Sequence, residues 1–338
     1  MNKVYLITGA AGHLASATIG RLREADCRIR GLILPDEPGR DTDQITYFRG
    51  DVTKPDTLDP FFSSLEDSEV IVLHMAAIIS IQNRVSPALY NVNVNGTGNI
   101  LNKCLQYHVK RLVYVSSVHA IPEPDRISTV TEISHFSKDA VEGAYAVTKA
   151  EATQMVLDAG QKGLDVVVVH PSGIFGPGDL GRNHLTQLAL MYLHHRLPMG
   201  VRGGYDFVDV RDVADGILRA AERGRSGECY LLSNRYVSMP EFLELMREAA
   251  GRKARTPCCP LWLAKALVPA AEGIAKLRGK RPIFTGYSLK VMGTNSRFCH
   301  DKATAELGYR PRDFRDTVAD TMSFLKETGD GSLSPFSL

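Results

Sequence analysis

The sequence predicts an α/β protein, a doubly wound parallel sheet followed by a smaller C-terminal lobe. Three observations predict it. Apolar runs alternate with helical patterns through the first two-thirds of the chain. Most of these runs are apolar without interruption, which suits strands covered by helices on both faces. The first run ends in a glycine turn that opens a helix, as at the start of a βαβ unit.

Strand-like runs are Val4–Thr8, Cys27–Leu34, Ile45–Phe48, Val70–His74, Leu112–Ser117 and Val166–His170. Helical patterns fall between them, near 13–25, 55–65, 87–107 and 140–160. After about residue 175 the rhythm weakens, and Gly176–Gly181 reads as a loop. A further run, Glu228–Leu232, and helical stretches near 239–250, 260–277 and 313–327 read as the smaller lobe. The expected division is a core over 1–175 with segments returning near 205–235. The lobe then covers most of 176–328, and 329–338 is a flexible tail rich in Gly and Ser.

The 338 residues allow two units at roughly 150 residues each. Hydrophobic residues make up 44% and charged residues 23%, which excludes a disordered or fibrous chain. Lys and Arg total 40 against 38 acidic residues, so no strong field draws nucleic acid or an anionic membrane. The six cysteines, at 27, 104, 229, 258, 259 and 299, form no C-x-x-C pair and no metal spacing. A reducing compartment follows from that usage. No signal-peptide pattern precedes the first strand. The apolar stretch Leu261–Leu277 contains Lys265, Pro269, Glu272 and Lys276, too polar for a membrane span. The expected location is cytoplasmic.

Strand Val4–Thr8 runs into Gly9-Ala10-Ala11-Gly12-His13-Leu14-Ala15. Glycines there allow a tight turn, and the helix that follows offers backbone N–H groups to a pyrophosphate. A plain strand-to-helix turn has the same glycines, but the position at the end of the first strand favours a dinucleotide. Asp51, before Val52, would accept a hydrogen bond from an adenine amino group, or else act as a turn residue. Ala76 and Ala77 leave room for a ribose, or simply pack closely. The second strand ends in Leu34, without the acid that selects NAD or the Arg that selects NADP. Arg30 and Arg40 lie close enough in sequence to reach a phosphate, so NADP is favoured over NAD.

Tyr145 and Lys149 are four apart and share one helix face. A neighbouring cation favours phenolate and brings the tyrosine toward the working pH. Lys149 would also hold a nicotinamide ribose. Ser117 ends the fifth strand, at the edge where such sheets bind ligands, and would hydrogen-bond a substrate oxygen. Asn93, in the helix pattern after the fourth strand, would hold a water linking Lys149 to solvent. Singly, these are ordinary helix-face and strand-end residues. Together, in this order, they form a catalytic constellation.

These motifs resemble the extended branch of the short-chain dehydrogenase/reductase superfamily, over nearly the whole chain. The resemblance rests on Thr8–Ala15, His74–Ala77, Asn93–Thr97, Val115–Ser117, Tyr145-x-x-x-Lys149 and Gly176–Asp179. His170–Pro177, Phe207–Ala214 and Glu306–Pro311 are similar to the 3β-hydroxysteroid dehydrogenase and dihydroflavonol-reductase-like group. The resemblance implies a Rossmann-type core and a substrate-binding lobe. It implies Ser117, Tyr145 and Lys149 as catalytic, with Asn93 as a fourth member. It places Gly9, Gly12, Ala15, Asp51, Ala76, Ala77, Lys149 and the loop Pro171–Ile174, with Gly173, along the dinucleotide; His13, Leu14, Arg30, Leu34 and Val52 are the further candidates beside them. The chain departs from the pattern at Ala15, usually Gly, at His13, usually Phe, and at His170, commonly Arg. A homodimer through the two long helices is a further implication.

Dehydratases of this branch carry an acidic pair after the catalytic Ser or Thr; this chain has Val118-His119. Epimerases usually carry an Asn where Gly173 stands. The remaining expectation is a hydroxyl/ketone oxidoreductase acting on a bulky apolar ring compound, steroid- or flavonoid-like. Pro257–Leu277, with the single Trp262, reads as a core-facing helix or as a greasy lid over that ring. His119 would line the pocket or sit behind it. A nucleotide-sugar epimerase and a non-catalytic dinucleotide sensor are the alternatives.

Overall fold

Side chains alternate across a strand, so each apolar run supplies two layers at once. A computed structural model describes residues 2–123, 128–179, 183–266, 286–294 and 296–328. Strands β1 (Asn2–Thr8), β2 (Arg28–Ile33), β3 (Ile45–Arg49), β4 (Ser68–His74), β5 (Arg111–Val115) and β6 (Val166–Pro171) lie within two residues of the runs read from sequence. After β7 (Gly173–Phe175), β8 (Gly200–Val201) and β9 (Gly204–Asp209), strand β10 (Cys229–Leu232) returns beside β6. The resulting sheet has seven strands, all parallel, in the order β10-β6-β5-β4-β1-β2-β3.

One face carries Val4, Leu6, Val72, Leu112, Tyr114 and Val168; the other carries Tyr5, Ile7, Ile71, Leu73, Val113 and Val169. Helices α4 (Gly96–Gln106) and α5 (Ala144–Gln161) cover the first face through Ile100, Cys104, Ala150 and Val156. Helices α1 (His13–Leu22) and α7 (Val210–Arg223) cover the second through Ala15, Ile19, Val213 and Ile217. Ala15, with no bulk beyond Cβ, is 1% exposed there.

Two expected helices are interrupted. Over 55–65 the chain makes a 3-10 turn, Pro55–Thr57, and a single helical turn, α2 (Asp59–Phe62). Pro55 and Pro60 cannot donate to a preceding turn, and Ser64 has φ 61°. Over 87–107, α3 (Pro87–Tyr90) is capped by Ser86 and passes through a π-turn, Asn91–Asn95, into α4. A π-turn carries one residue more per turn than an α-helix and marks functional sites often.

The lobe holds a three-stranded sheet in which β9 lies between β7 and β11 (Arg235–Ser238). Helices α6 (His184–Leu193) and α8 (Met239–Ala250) pack on it, and β12 (Cys258–Cys259) pairs with β8. Short helices α9 (Gly286–Val291) and α10 (Asp301–Leu307) precede α11 (Phe314–Thr328). The lobe core is aromatic: Phe175, Phe207, Phe242 and Phe314 meet, with Phe207 stacked on Phe314 at 5.6 Å. Of the expected helix over 260–277, residues 261–266 are helical and 267–277 lie outside the described residues, as does the tail from 329. Trp262 is 70% exposed, so the core-facing reading fails at that residue. No helix among the described residues is long and apolar enough to cross a membrane.

Phe314 is fully buried and touches the other three rings. Phe314→Ala is expected to cost about 3–5 kcal/mol of stability. Urea denaturation checks this, and a loss below about 1 kcal/mol would show that the lobe core does not rest on this cluster.

Candidate active site

The chain winds outward from β1 to β3, then crosses back to β4. That reversal leaves a crevice at the C-terminal ends of β1 and β4. Gly9 turns there with φ 67°, and a Cβ on it would stand 3.0 Å from the Ala76 Cα. Only glycine meets both demands. Gly12 N donates to Gly9 O at 2.9 Å and closes the turn. The first turn of α1 has neither a side-chain cap nor an acidic residue, so its N–H groups face the crevice without a competitor. His13 Nε2 donates to Pro177 O at 2.9 Å, tying the turn to the Gly-Pro-Gly loop.

Below the crevice a hydrogen-bond chain runs in one direction. The Thr8 hydroxyl accepts from Met75 N and Ala76 N, at 3.0 and 3.1 Å. Its own proton therefore goes to His74 Nδ1, 2.7 Å away. His74 then carries its hydrogen on Nε2 and donates to Thr97 Oγ1, which donates to Asn93 O. Burial, with Lys149 nearby, pulls the His74 pKa down to about 3, so the ring is neutral.

Asn93 sits in the π-turn and is buried. Its Nδ2 donates to Ile78 O and Thr148 Oγ1, and its Oδ1 accepts from Ile78 N. Both amide protons are thus engaged. Asn93 clamps the loop after β4 onto α5.

Gly143, with φ 100°, opens α5, so Tyr145 stands in the first turn with Lys149 one turn on. Lys149 Nζ donates to Val115 O at 2.7 Å and Tyr114 Oη at 3.2 Å. Burial pulls its pKa down to about 7. Val115 leads directly to Ser117, whose Oγ accepts from His119 N at 3.2 Å. His170 Nδ1 donates to Ser117 O, and its ring stacks on Phe136 at 5.2 Å. The structure therefore gathers Ser117, Tyr145 and Lys149 at the ends of β5 and α5.

Beside them opens a cavity of about 220 Å³. Val118, Ile121, Val141, Val291 and Phe298 give it apolar walls. Its charged lining residues are Glu123, Glu142 and Lys290, and Lys290 is ion-paired with Glu142. His119 and Tyr205 also line it.

The profile of the NAD dependent epimerase/dehydratase family matches residues 5–233. The chain belongs to that family. It is an NAD(P)-dependent dehydrogenase/reductase of the extended short-chain type. It is 27% identical over 340 residues to a 4-hydroxy-2-methyl-3-oxo-4-farnesyl-3,4-dihydroquinoline-1-oxide ketoreductase of Stigmatella aurantiaca, covering 97% of this chain and 98% of that protein. It is 27% identical over 307 residues to a decarboxylating sterol-4-alpha-carboxylate 3-dehydrogenase of Saccharomyces cerevisiae, covering 84% of each. The crystal structure of gox2253 superposes with a TM-score of 0.81 at 30% identity, covering 97% of this chain and 99% of that one.

The dinucleotide of this dehydrogenase would lie along the crevice, where β1 and β4 end. Gly9, Gly12, His13, Leu14, Ala76 and Ala77 follow β1 and β4. Asp51 Oδ1 accepts from Thr53 N and Thr53 Oγ1, so the turn role is present. Val52 is buried against Gly96. Pro171 ends β6, and Ile174 lies in β7. A Cβ on Gly173 would meet Asp206 O at 2.9 Å, so the loop lies flat on β9.

Arg30 is a correction. Its Nη1 donates to the carbonyls of Pro60, Phe61 and Ser63, and its guanidinium lies 4.9 Å over the Phe48 ring. It closes the end of α2 and does not reach the crevice. The residue that reaches the end of β2 is Arg49, which donates to Pro35 O at 2.6 Å and to Glu37 O at 3.1 Å. Leu34 is exposed, and Glu37 caps its N–H at 2.8 Å. Sequence order hid this pairing, because Arg49 comes from the neighbouring strand β3.

Tyr205 and Asp206 were also missed. Asp206 is fully buried and accepts from Ser172 Oγ at 2.5 Å and Asn234 N at 3.1 Å through Oδ1. Its Oδ2 has no partner among the described residues. Burial raises its pKa to about 7. Between about pH 4 and this value the folded chain holds a proton that the unfolded chain has lost, so stability falls as pH rises through that window. Asp206→Asn is expected to flatten that slope and match or exceed wild type near about pH 8. Urea midpoints near about pH 5 and about pH 8 measure it, and parallel slopes would refute the assignment.

Proposed function

We propose that the enzyme interconverts a hydroxyl and a ketone on an apolar ring substrate, with Tyr145 as acid and base. The observation that carries this reading is the cavity beside the triad. Val118, Ile121, Val141, Val291 and Phe298 give it an apolar side, and its one described cation is already paired with Glu142. A sugar diphosphate would bring two negative charges next to Glu123 and Glu142 with no unpaired cation among the described lining residues. The relatives' names support the same reading, since a sterol and a farnesyl quinoline are both apolar ring compounds.

The nicotinamide supplies or accepts the hydride. In the reducing direction Tyr145 donates its phenolic proton to the developing alkoxide, and Ser117 Oγ hydrogen-bonds the same oxygen. Lys149, in its charged form, lowers the cost of the resulting phenolate. In the oxidising direction the steps reverse and Tyr145 takes the proton. Tyr145→Phe is expected to lower kcat by ~10²-fold or more while dinucleotide affinity changes little. Steady-state rates and fluorescence titration measure the two, and unchanged turnover would refute the role.

NADP is the cofactor we propose, now through Arg49 and not Arg30. Arg49 lies on the loop at the end of β2, where a ribose 2′-phosphate would come. One charge-assisted hydrogen bond of about 1.5–3 kcal/mol corresponds to roughly tenfold or more in affinity. Arg49→Gln should weaken NADPH by about that factor and leave NADH nearly unchanged. Equal loss for both cofactors, read by titration, would leave the preference with no support at Arg49.

A further inference from the structure

We propose that Tyr114, on strand β5, holds the Lys149 ammonium in place for Tyr145 and so serves the acid–base step as a positioning residue. It acts through Lys149. This deepens the reading of Tyr145 as acid and base and rests on it.

The geometry begins in the sheet. Tyr114 and Val115 are consecutive in β5, and one ammonium meets both. Lys149 Nζ donates to the Val115 carbonyl at 2.7 Å and to Tyr114 Oη at 3.2 Å. Nζ also lies 4.7 Å from the centre of the Tyr114 ring. A phenolic oxygen and an aromatic face both favour a cation. Tyr114 and Lys149 are buried, and a buried ammonium without partners is costly. Among the described residues Nζ has these two acceptors and no carboxylate, so Tyr114 supplies the one side chain that bonds it. Tyr114 is held in turn from the crevice. Its ring lies 5.6 Å from the His74 ring, and Thr97, which accepts from His74, bears on its hydroxyl.

The titratable groups around Lys149 come from several elements. Tyr145 lies one turn back on α5, Tyr114 on β5, His74 at the end of β4 and His170 in β6. His119, from the turn after β5, stands edge-on to Tyr145. Burial pulls His74 down to about 3, and His119 and His170 to about 4, so all three rings are neutral at working pH. Burial pushes the Tyr114 phenol up, so it stays a neutral acceptor throughout that range. Burial also works against the Lys149 charge, drawing its pKa down to about 7. The hydrogen bond from Nζ to Tyr114 opposes that pull, because an acceptor on an ammonium favours the charged form. Without the phenol Lys149 loses its proton more readily, and Tyr145 loses the cation that favours its phenolate.

The test needs no substrate. Full-length enzyme, free of dinucleotide, is titrated with alkali, and phenolate is read by its ultraviolet absorbance. Subtracting the trace of Tyr145→Phe isolates Tyr145. In the wild type this step is expected below about 10, the ordinary value for a phenol. Tyr114→Phe keeps the buried ring and should move the step up by about one pH unit. Lys149→Met should move it at least as far. Adding Tyr114→Phe to Lys149→Met should move it no further, because the phenol acts through the ammonium. An unmoved step in Tyr114→Phe overturns the inference and leaves the acid–base reading standing, and so does a further shift in the double variant. A wild-type step at or above about 10 overturns both. Urea midpoints show whether the phenol is merely structural: a lower midpoint in Tyr114→Phe with an unmoved step counts against the proposal. Should Tyr114→Phe fail to fold, Lys149→Met with and without it decides, and a difference between their Tyr145 steps overturns the inference.

Discussion

The site depends on how closely β1 and β4 come together where the sheet reverses. A methyl group on Gly9 would collide with the backbone of Ala76, and the left-handed φ at Gly9 excludes it independently. That contact sets the floor of the crevice. With the floor fixed, the N-terminus of α1 points into it and Ala76 and Ala77 form its side. The turn after β1 and the loop after β4 are both positioned from this one approach of two backbones.

The same junction organises the buried polar groups. Thr8 ends β1 in register with His74. Its hydroxyl takes the first two N–H groups beyond β4, and this forces the proton direction through His74 and Thr97 to Asn93. Because every member is satisfied, the chain stabilises one arrangement of the loop after β4 instead of leaving unpaired groups behind. Asn93 completes the connection by holding Ile78 on one side and Thr148 on the other. Thr148 lies between Tyr145 and Lys149 in the sequence of α5, so the crevice and the catalytic helix are positioned by a single network.

The sheet was legible because its strands are buried on both faces, and continuous apolar runs announce that directly. The glycine turn and the Tyr-x-x-x-Lys spacing were legible because each lies within a few residues of chain. What was hidden comes from pairing between elements. Arg49 replaces Arg30 at the end of β2 because β3 lies beside β2, which sequence order alone does not reveal. Tyr205 meets His119 across 86 residues. The helix pattern over 55–65 does not become one helix because its apolar pair, Phe61 and Phe62, follows two prolines and is buried in a single turn that ends before the left-handed Ser64. The apolar count was right there, and the backbone chemistry decided otherwise.

Strand β9 shows how the lobe governs the chemistry without supplying the triad. Its side chains alternate, as a strand requires. Phe207 enters the aromatic core of the lobe and meets Phe242 and Phe314. Tyr205, two residues earlier and 5.9 Å from the Phe207 ring, stands over His119 in the cavity. Asp206, between them, instead takes the hydroxyl of Ser172 in the loop after β6. A shift of β9 by one residue would exchange these faces and place a carboxyl in the cavity and a ring in the loop. The packing of Phe207 in the lobe core is therefore what holds Tyr205 at His119, and the register of one strand links the stability of the lobe to the shape of the substrate cavity.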